Sequence, residues 1–326
     1  VATRMEGLLF PELEDEFADV ARVLGGARSV AVVGHIRPDA DAVGSACGLA
    51  AGLRSLGVRA DVFIGQPFAH QKNLDSVPGV GEVSYTDRLP ETDLVVTVDC
   101  ASVDRTGAFA AQIQADPARV VVIDHHETNR GFGGRNLIVI GESTTMLVRE
   151  LFVHLGVVAD TAMAHCLYAG LVTDTGNFRW GTQRMHRMAA ELLGYGLDTR
   201  EISLRLMDAM SARDMLLLGG VLAGMERHEA HGRRVCVFTI GVDALKAMSQ
   251  QAVEAVIDYA RVIERCDVGV VLKEQAPGYW SVSLRSSTVD VSRVAQALGG
   301  GGHVPAAGLS ASGPRAEVVG RILRKI

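Results

Sequence analysis

Short apolar runs that end abruptly on an acid or an imidazole set the pattern of this chain. Residues 120–123 (VVVI) form an uninterrupted β-branched run of strand length, the mark of a strand buried on both faces, and they stop on Asp124, His125 and His126. Ser29–Gly34 (SVAVVG) delivers His35 in the same way, and Leu94–Val98 (LVVTV) delivers Asp99. Residues 59–65 (RADVFIG) predict a further strand, and the Ala/Gly/Leu-rich stretch before it, ending near Leu56, predicts a helix. The order β, α, β is that of a parallel doubly wound sheet. Small residues at Ala46, Gly48, Ala50 and Ala51 predict that the helix lies close against that sheet. Open α/β sheets bind ligands at the carboxyl ends of their strands, where all three polar tips fall.

From 143 to 224 the period changes to helical, with Leu151, His154 and Leu155, then Ala164, Leu167, Tyr168 and Leu171, on recurring faces. The loop TDTGNFRW, 173–180, interrupts these helices and carries Asp174. Helices are predicted over 185–195, 201–210 and 214–227. A second α/β region follows, with strands at 234–240, 267–273 and 280–285 and helices at 252–261, 291–298 and 315–326. Between the last two helices lies GGGGH, 299–303, read as a loop. A chain of 326 residues exceeds one typical core. The expected division is a catalytic domain over 1–190, a helical linker over 191–230 and a substrate-binding domain over 231–326.

Charge and cysteine content narrow the function. A formal net charge of −6 gives no footprint for long duplex DNA, whose binders are basic. Small anionic substrates stay compatible with it, because a bound metal ion supplies local positive charge. The five cysteines are widely spaced without a CxxC pair, which predicts reduced thiols in a cytoplasmic protein. No apolar run approaches the ~20 residues of a membrane span, and no signal-peptide pattern opens the chain, so no membrane association is expected.

The acids and imidazoles gathered by this topology are His35, Asp39, Asp41, Asp99, Asp124, His125, His126 and Asp174. Each has a plain structural alternative: a single strand-end Asp is more often a helix cap than a ligand, and His125 with His126 alone reads as a surface pair. Together they are another matter. Several carboxylates crowded at one sheet edge repel unless cations neutralise them. Oxygen and imidazole donors without thiolates suit Mn²⁺, Mg²⁺, Zn²⁺ or Fe²⁺, and the donors exceed one octahedral shell, so two metals are expected. The glycine run reads either as a flexible loop or as a backbone cradle for an anion.

HIRPDADAVGS (35–45), Asp99 followed by SVDRTG, DHH (124–126), LVTDTGNF (171–178) and GGGGH occur in an order and spacing that resembles the DHH phosphoesterase family with its DHH-associated C-terminal domain, over nearly the whole chain. The resemblance implies an α/β fold with a parallel doubly wound sheet domain and a smaller C-terminal α/β domain. It implies a hydrolase of short nucleotide phosphoesters: nano-RNA of two to five nucleotides, adenosine 3′,5′-bisphosphate, cyclic-di-AMP or its linear product. It also implies a homodimer. Carried over residue by residue, it makes His35 and Asp39 ligands of one Mn²⁺, Asp41, His125 and Asp174 ligands of the other, and Asp99 the bridge. His126 would contact the scissile phosphate and Asp124 orient an imidazole. Arg105 is a phosphate contact or a solvated surface arginine, while Arg285 with Gly301, Gly302 and His303 would hold the far end of the substrate. In one respect the chain departs from the family pattern: the segment NLIVIGESTTMLVRE, 136–150, lacks the Asp-containing loop usually found before the Ser/Thr pair.

Competing readings are a manganese inorganic pyrophosphatase, which shares the metal motifs but not GGGGH, and a nucleotide sensor without turnover, which would fit the loss of a ligand. A RecJ-like processive exonuclease would need further domains. No GxGxxG follows the first strand, against a Rossmann dehydrogenase.

Overall fold

The computed structural model describes residues 3–208 and 210–326, and the chain divides into two compact units, Val1–Ala209 and Met210–Ile326. Of the helices within 191–230, Thr199–Ser203 lies in the first and Ala212–Ala223 in the second.

The first unit is built on six parallel strands: β1 (Ser29–Gly34), β2 (Arg59–Ile64), β3 (Ser84–Tyr85), β4 (Leu94–Val98), β5 (Val120–Asp124) and β6 (Arg135–Ile138). Their spatial order is β3-β2-β1-β4-β5-β6. Side chains alternate between two cores: Val30, Val32, Val121 and Ile123 enter one, Ala31, Val33, Val120 and Val122 the other. This is why residues 30–33 of β1 and 120–123 of β5 are apolar in succession rather than at every second position. The order runs outward in opposite directions from β1 and β4, so the crevice between their carboxyl ends is the switch point of the sheet. His35 leaves β1 and Asp99 leaves β4, one on each side of it.

The helices that matter for this crevice are α1 (Glu14–Gly26), α2 (Ala40–Ser55), α3 (Thr144–Leu155) and α4 (Thr161–Asp174). Helix α2 is buried almost throughout and lies on β1 and β2, while two further glycines bring it close to neighbouring helices. A Cβ on Gly44 would fall 2.3 Å from the Cys166 carbonyl oxygen of α4, and one on Gly52 would fall 2.5 Å from the Phe152 ring of α3. Such close passage sets the start of α2 beside the end of α4, the two places that carry Asp41 and Asp174. A buried charge cluster ties down the N-terminal segment: Arg149 (2% exposed) forks onto Glu191 at 2.7 and 2.8 Å, and Glu150 accepts the amides of Leu9 and Phe10.

The second unit opens with α5 (Ala212–Ala223) and forms a sheet of β7 (Glu226–Ala230), β8 (Arg233–Ile240), β9 (Val268–Ala276), β10 (Tyr279–Arg285), β11 (Gly301–His303) and β12 (Ala306–Ser312), in the order β11-β12-β10-β9-β8-β7. Only β8 and β9 run parallel among its described pairs. Helices α5 and α6 (Gln250–Val262) cover one face; α7 (Val291–Gln296) and α8 (Arg315–Leu323) cover the other. Two elements correct the sequence reading: the helix expected to reach 227 ends at Ala223 and gives way to β7, and the glycine run enters a hairpin of β11 and β12 instead of remaining a loop. Trp280 is buried and donates to the Gly313 carbonyl, whereas Tyr279 on the same strand is exposed.

The α2–α4 contact generates a stability prediction. Gly44→Ala is expected to cost about 1–3 kcal/mol, because a methyl group there meets backbone that cannot rotate aside. Urea unfolding of both proteins measures it; an unchanged midpoint would contradict this account of the helix crossing.

Candidate metal centre

Each acidic side chain at the switch point is fixed by donors of its own. Asp39 is the N-cap of α2, and its Oδ1 accepts the amides of Asp41 (3.1 Å) and Ala42 (3.0 Å). Its other oxygen stands 3.4 Å from His35 Nε2. The capping and ligand readings of Asp39 are therefore compatible, one for each oxygen. Asp41, fully buried, accepts the amides of Thr144 (2.6 Å) and Thr145 (3.0 Å) at the N-terminus of α3. That helix end favours a negative charge. Gly170 of α4 lets Asp41 in, since a Cβ there would lie 2.3 Å from Asp41 Oδ1.

Asp99 occupies the middle. Its backbone is left-handed (φ +58°), a conformation uncommon for a residue with a Cβ and concentrated at functional sites. Oδ2 lies 3.5 Å from His35 Nε2, and Oδ1 lies 3.5 Å from His125 Nε2 and accepts the Thr144 hydroxyl at 3.0 Å. One carboxylate thus faces two imidazoles with different oxygens. His125 directs Nδ1 to the Gly141 carbonyl (3.0 Å), so its Nε2 is turned toward Asp99, Asp174 (3.3 Å) and Asp41 (3.9 Å). These separations exceed good hydrogen-bonding distance. The groups converge without satisfying one another.

Donor atoms within 4.8 Å of each other make three groups among the described residues: His35, Asp39 and Asp99; Asp41, His125 and Asp174; and Asp99, His125 and His126. The electrostatics shows what the donors lack. Burial, then the charge of Asp99, pushes the Asp41 carboxyl up to about 7. Burial, then the charges of Asp41, Asp39 and Asp99, holds Asp174 well above the usual carboxylate range, and its place at the C-terminal end of α4 gives no relief. For His35, burial alone would lower the pKa, but Asp39 and Asp99 outweigh it and raise it to about 10. A crowded oxygen-and-imidazole set in which Asp41, Asp174 and His35 are all shifted toward their protonated forms fits divalent cations.

Around this set, Asp124 accepts from His126 Nδ1 (2.8 Å) on one oxygen and from Asn129 Nδ2 (2.7 Å) on the other. The imidazole that Asp124 orients is therefore that of His126. Arg105 brings Nη2 to 2.9 Å from His35 Nδ1, but the same nitrogen is 2.9 Å from the Ile36 carbonyl. With its proton on that carbonyl, Nδ1 cannot also accept from the guanidinium, so the Arg105 approach is a close contact and not a hydrogen bond. After Asp174 the chain holds three successive left-handed residues, Gly176, Asn177 and Phe178, and Trp180 folds back over Gly176 to donate to the Asp174 carbonyl (2.8 Å). In the second unit Arg285 is half-buried, and Gly301, Gly302 and His303 form β11; the His303 side chain lies outside the described residues.

The sequence reading did not single out Thr144, Thr145, Gly170 or Asn129. A Ser-Thr-Thr run opening a helix was the available signal for the first two; the others act through space and left none.

The description "DHH family, N-terminal domain" matches residues 29–171, and "DHHA1 domain" matches residues 234–326. A bifunctional oligoribonuclease and PAP phosphatase, NrnA, of Thermus thermophilus is 32% identical to this chain, covering 91% of it and 87% of the relative. The chain belongs to the DHH family. A probable bifunctional oligoribonuclease and PAP phosphatase of Streptococcus mutans is 26% identical over 84% of this chain and 86% of its own. The crystal structure of an exopolyphosphatase-related protein from Bacteroides fragilis covers 96% of each chain with a TM-score of 0.86 at 24% identity, which establishes the common fold. As a DHH family member, the chain is a metal-binding hydrolase of phosphoester bonds.

The geometry separates two carboxylates by role. Asp99→Ala removes the one carboxylate that faces both imidazoles and is expected to abolish turnover. Asp124→Ala removes a group that positions His126, and a loss of roughly 10–100-fold is expected. Single-turnover rates with metal content measured in parallel check this; equal and complete loss at full metal occupancy in both variants would contradict it.

Proposed function

We propose that the chain is a two-metal phosphoesterase of short nucleotides: linear oligoribonucleotides of two to five residues, adenosine 3′,5′-bisphosphate, or cyclic-di-AMP and its linear product. The observation that carries the reading is Asp99, whose two oxygens face separate imidazoles across the switch point of the sheet. In this reading His35 and Asp39 hold one ion, Asp41, His125 and Asp174 hold the other, and Asp99 joins them. Mn²⁺ is the proposed metal, in keeping with mixed carboxylate and imidazole donors. These residues would hold ions whose chemistry would be to supply positive charge to the phosphoryl oxygens and to lower the pKa of water toward neutrality.

The chain's own groups do the rest. The amides on Asp39 and Asp41 and the Thr144 hydroxyl on Asp99 keep the donors in place before substrate arrives, so little reorganisation is needed during reaction. Burial lowers the His126 pKa, but the hydrogen bond to Asp124 and the charge of Asp99 raise it on balance, which favours a protonated imidazole facing the scissile phosphate. Recognition is assigned to the second unit, in the proposed domain 231–326. There Arg285, Ala306 and His303 stand opposite one another on three adjacent strands, and Gly301 and Gly302 leave the backbone of β11 open to an anion. The relatives named as oligoribonucleases and PAP phosphatases support a nucleotide substrate. Five free thiols support a cytoplasmic site of action, and no helix among the described residues is long and apolar enough to cross a membrane.

Turnover of a linear dinucleotide is expected to vanish on chelation and return with Mn²⁺. Under those conditions Arg285→Ala or His303→Ala should lower kcat/KM for the dinucleotide by roughly tenfold or more, while bis-p-nitrophenyl phosphate, which has no far end to hold, is affected much less. Full activity in chelator, or an equal fall on both substrates, would overturn the reading.

A further inference from the structure

The chain leaving β2 runs beside the loop that carries His35 and Asp39, because β1 and β2 are paired to their last residues, Gly34 with Ile64. Gln66, only 4% exposed, straps the two together: its Oε1 accepts the Arg37 amide at 2.6 Å and its Nε2 donates to the Phe68 carbonyl at 2.8 Å. Arg37 is itself left-handed, with φ +52°. A second clamp closes the segment, where His70 donates from Nε2 to Asp75 at 2.9 Å and accepts the Tyr85 hydroxyl at Nδ1. Between these clamps Phe68 shows 53% of its surface to solvent. A phenyl ring left in water on a loop tied at both ends, one of those ties reaching the segment between two of the carboxyl-end donors, is placed for contact with something that comes to the centre.

We infer that Phe68 is a stacking platform for a purine or pyrimidine base of the substrate, the base of the nucleotide whose phosphate lies at the metal centre. The inference rests on the nucleotide phosphoesterase reading above and adds a substrate-binding residue to it. Every base presents a flat π-face, so an aromatic ring next to a phosphate site holds short oligonucleotides without reading their sequence. Gln66 acts as the positioning residue: it fixes the height of the ring relative to the loop of His35 and Asp39.

The test compares a dinucleotide with its analogue carrying an abasic ribose at the nucleotide that supplies the scissile phosphate. Removing the base should cost the wild type far more in kcat/KM than it costs Phe68→Ala, so that the base-to-abasic ratio falls by roughly 5- to 150-fold in the variant, mostly through KM. Phe68→Trp should restore the ratio. An equal ratio in wild type and Phe68→Ala would overturn the inference. A binding readout keeps it separate from the hydrolytic reading: a dinucleotide containing 2-aminopurine should be quenched on binding to wild type and Phe68→Trp but not to Phe68→Ala, whether or not it is cleaved. No quenching by wild type, or the same quenching by Phe68→Ala, would refute the stacking role, whereas quenching without cleavage would count against the hydrolytic reading alone.

Discussion

Like charges held together in a buried place are the constraint on which this structure turns. The charge of Asp99 raises the proton affinity of both Asp41 and Asp174, with His125 among them. Left alone, such groups separate or neutralise. Here they are held by the helix amides on Asp41, the Thr144 hydroxyl on Asp99 and the passage of α2 against α4, which glycines make close enough to place Asp41 beside Gly170. The left-handed backbone of Asp99 shows where local conformational preference gives way to that arrangement. Divalent ions would turn the repulsion into coordination, which makes the site selective for positive charge.

The same logic explains the separation of duties between the units. Strand order reverses between β1 and β4, and the crevice so formed is rimmed by acids, suited to metal and phosphate. It contains little that distinguishes a nucleotide from another phosphoester. The proposed reading leaves recognition to other groups: Arg285 and the glycine hairpin of the second unit, and Phe68 in the first. With cations bound at the crevice, an acidic chain would accept anionic substrates without a broadly basic surface.

Much of this was legible because buried parallel strands write themselves as short apolar runs, and an acid or imidazole ending such a run is out of place. His35, Asp99 and the DHH triplet stood out for that reason, and the structure brings their donors together. Other features were hidden for equally physical reasons. Thr144 and Thr145 act largely through backbone amides, which have no side-chain signature. Gly170 matters because of an atom it lacks, and the bridging of two loops by Gln66 depends on a strand pairing absent from the local sequence. Strand β7 (ERHEA) sits at a sheet edge with little to bury, and β11 is glycine and histidine, so neither shows the period of two that marks a half-buried strand. Arg149 and Glu150 are buried as a pair of charges without any apolar pattern to announce it, because the fold of the N-terminal segment over them puts them inside.

The claim on which the rest depends is that Asp99 bridges two ions. Anomalous scattering at the manganese edge from crystals grown with Mn²⁺ tests it most directly. The account predicts two peaks about 3.5–4 Å apart, one on the side of His35 and Asp39, the other on the side of Asp41, His125 and Asp174, with an Asp99 oxygen touching each. A single peak, or two peaks of which either lies out of reach of Asp99, would contradict it.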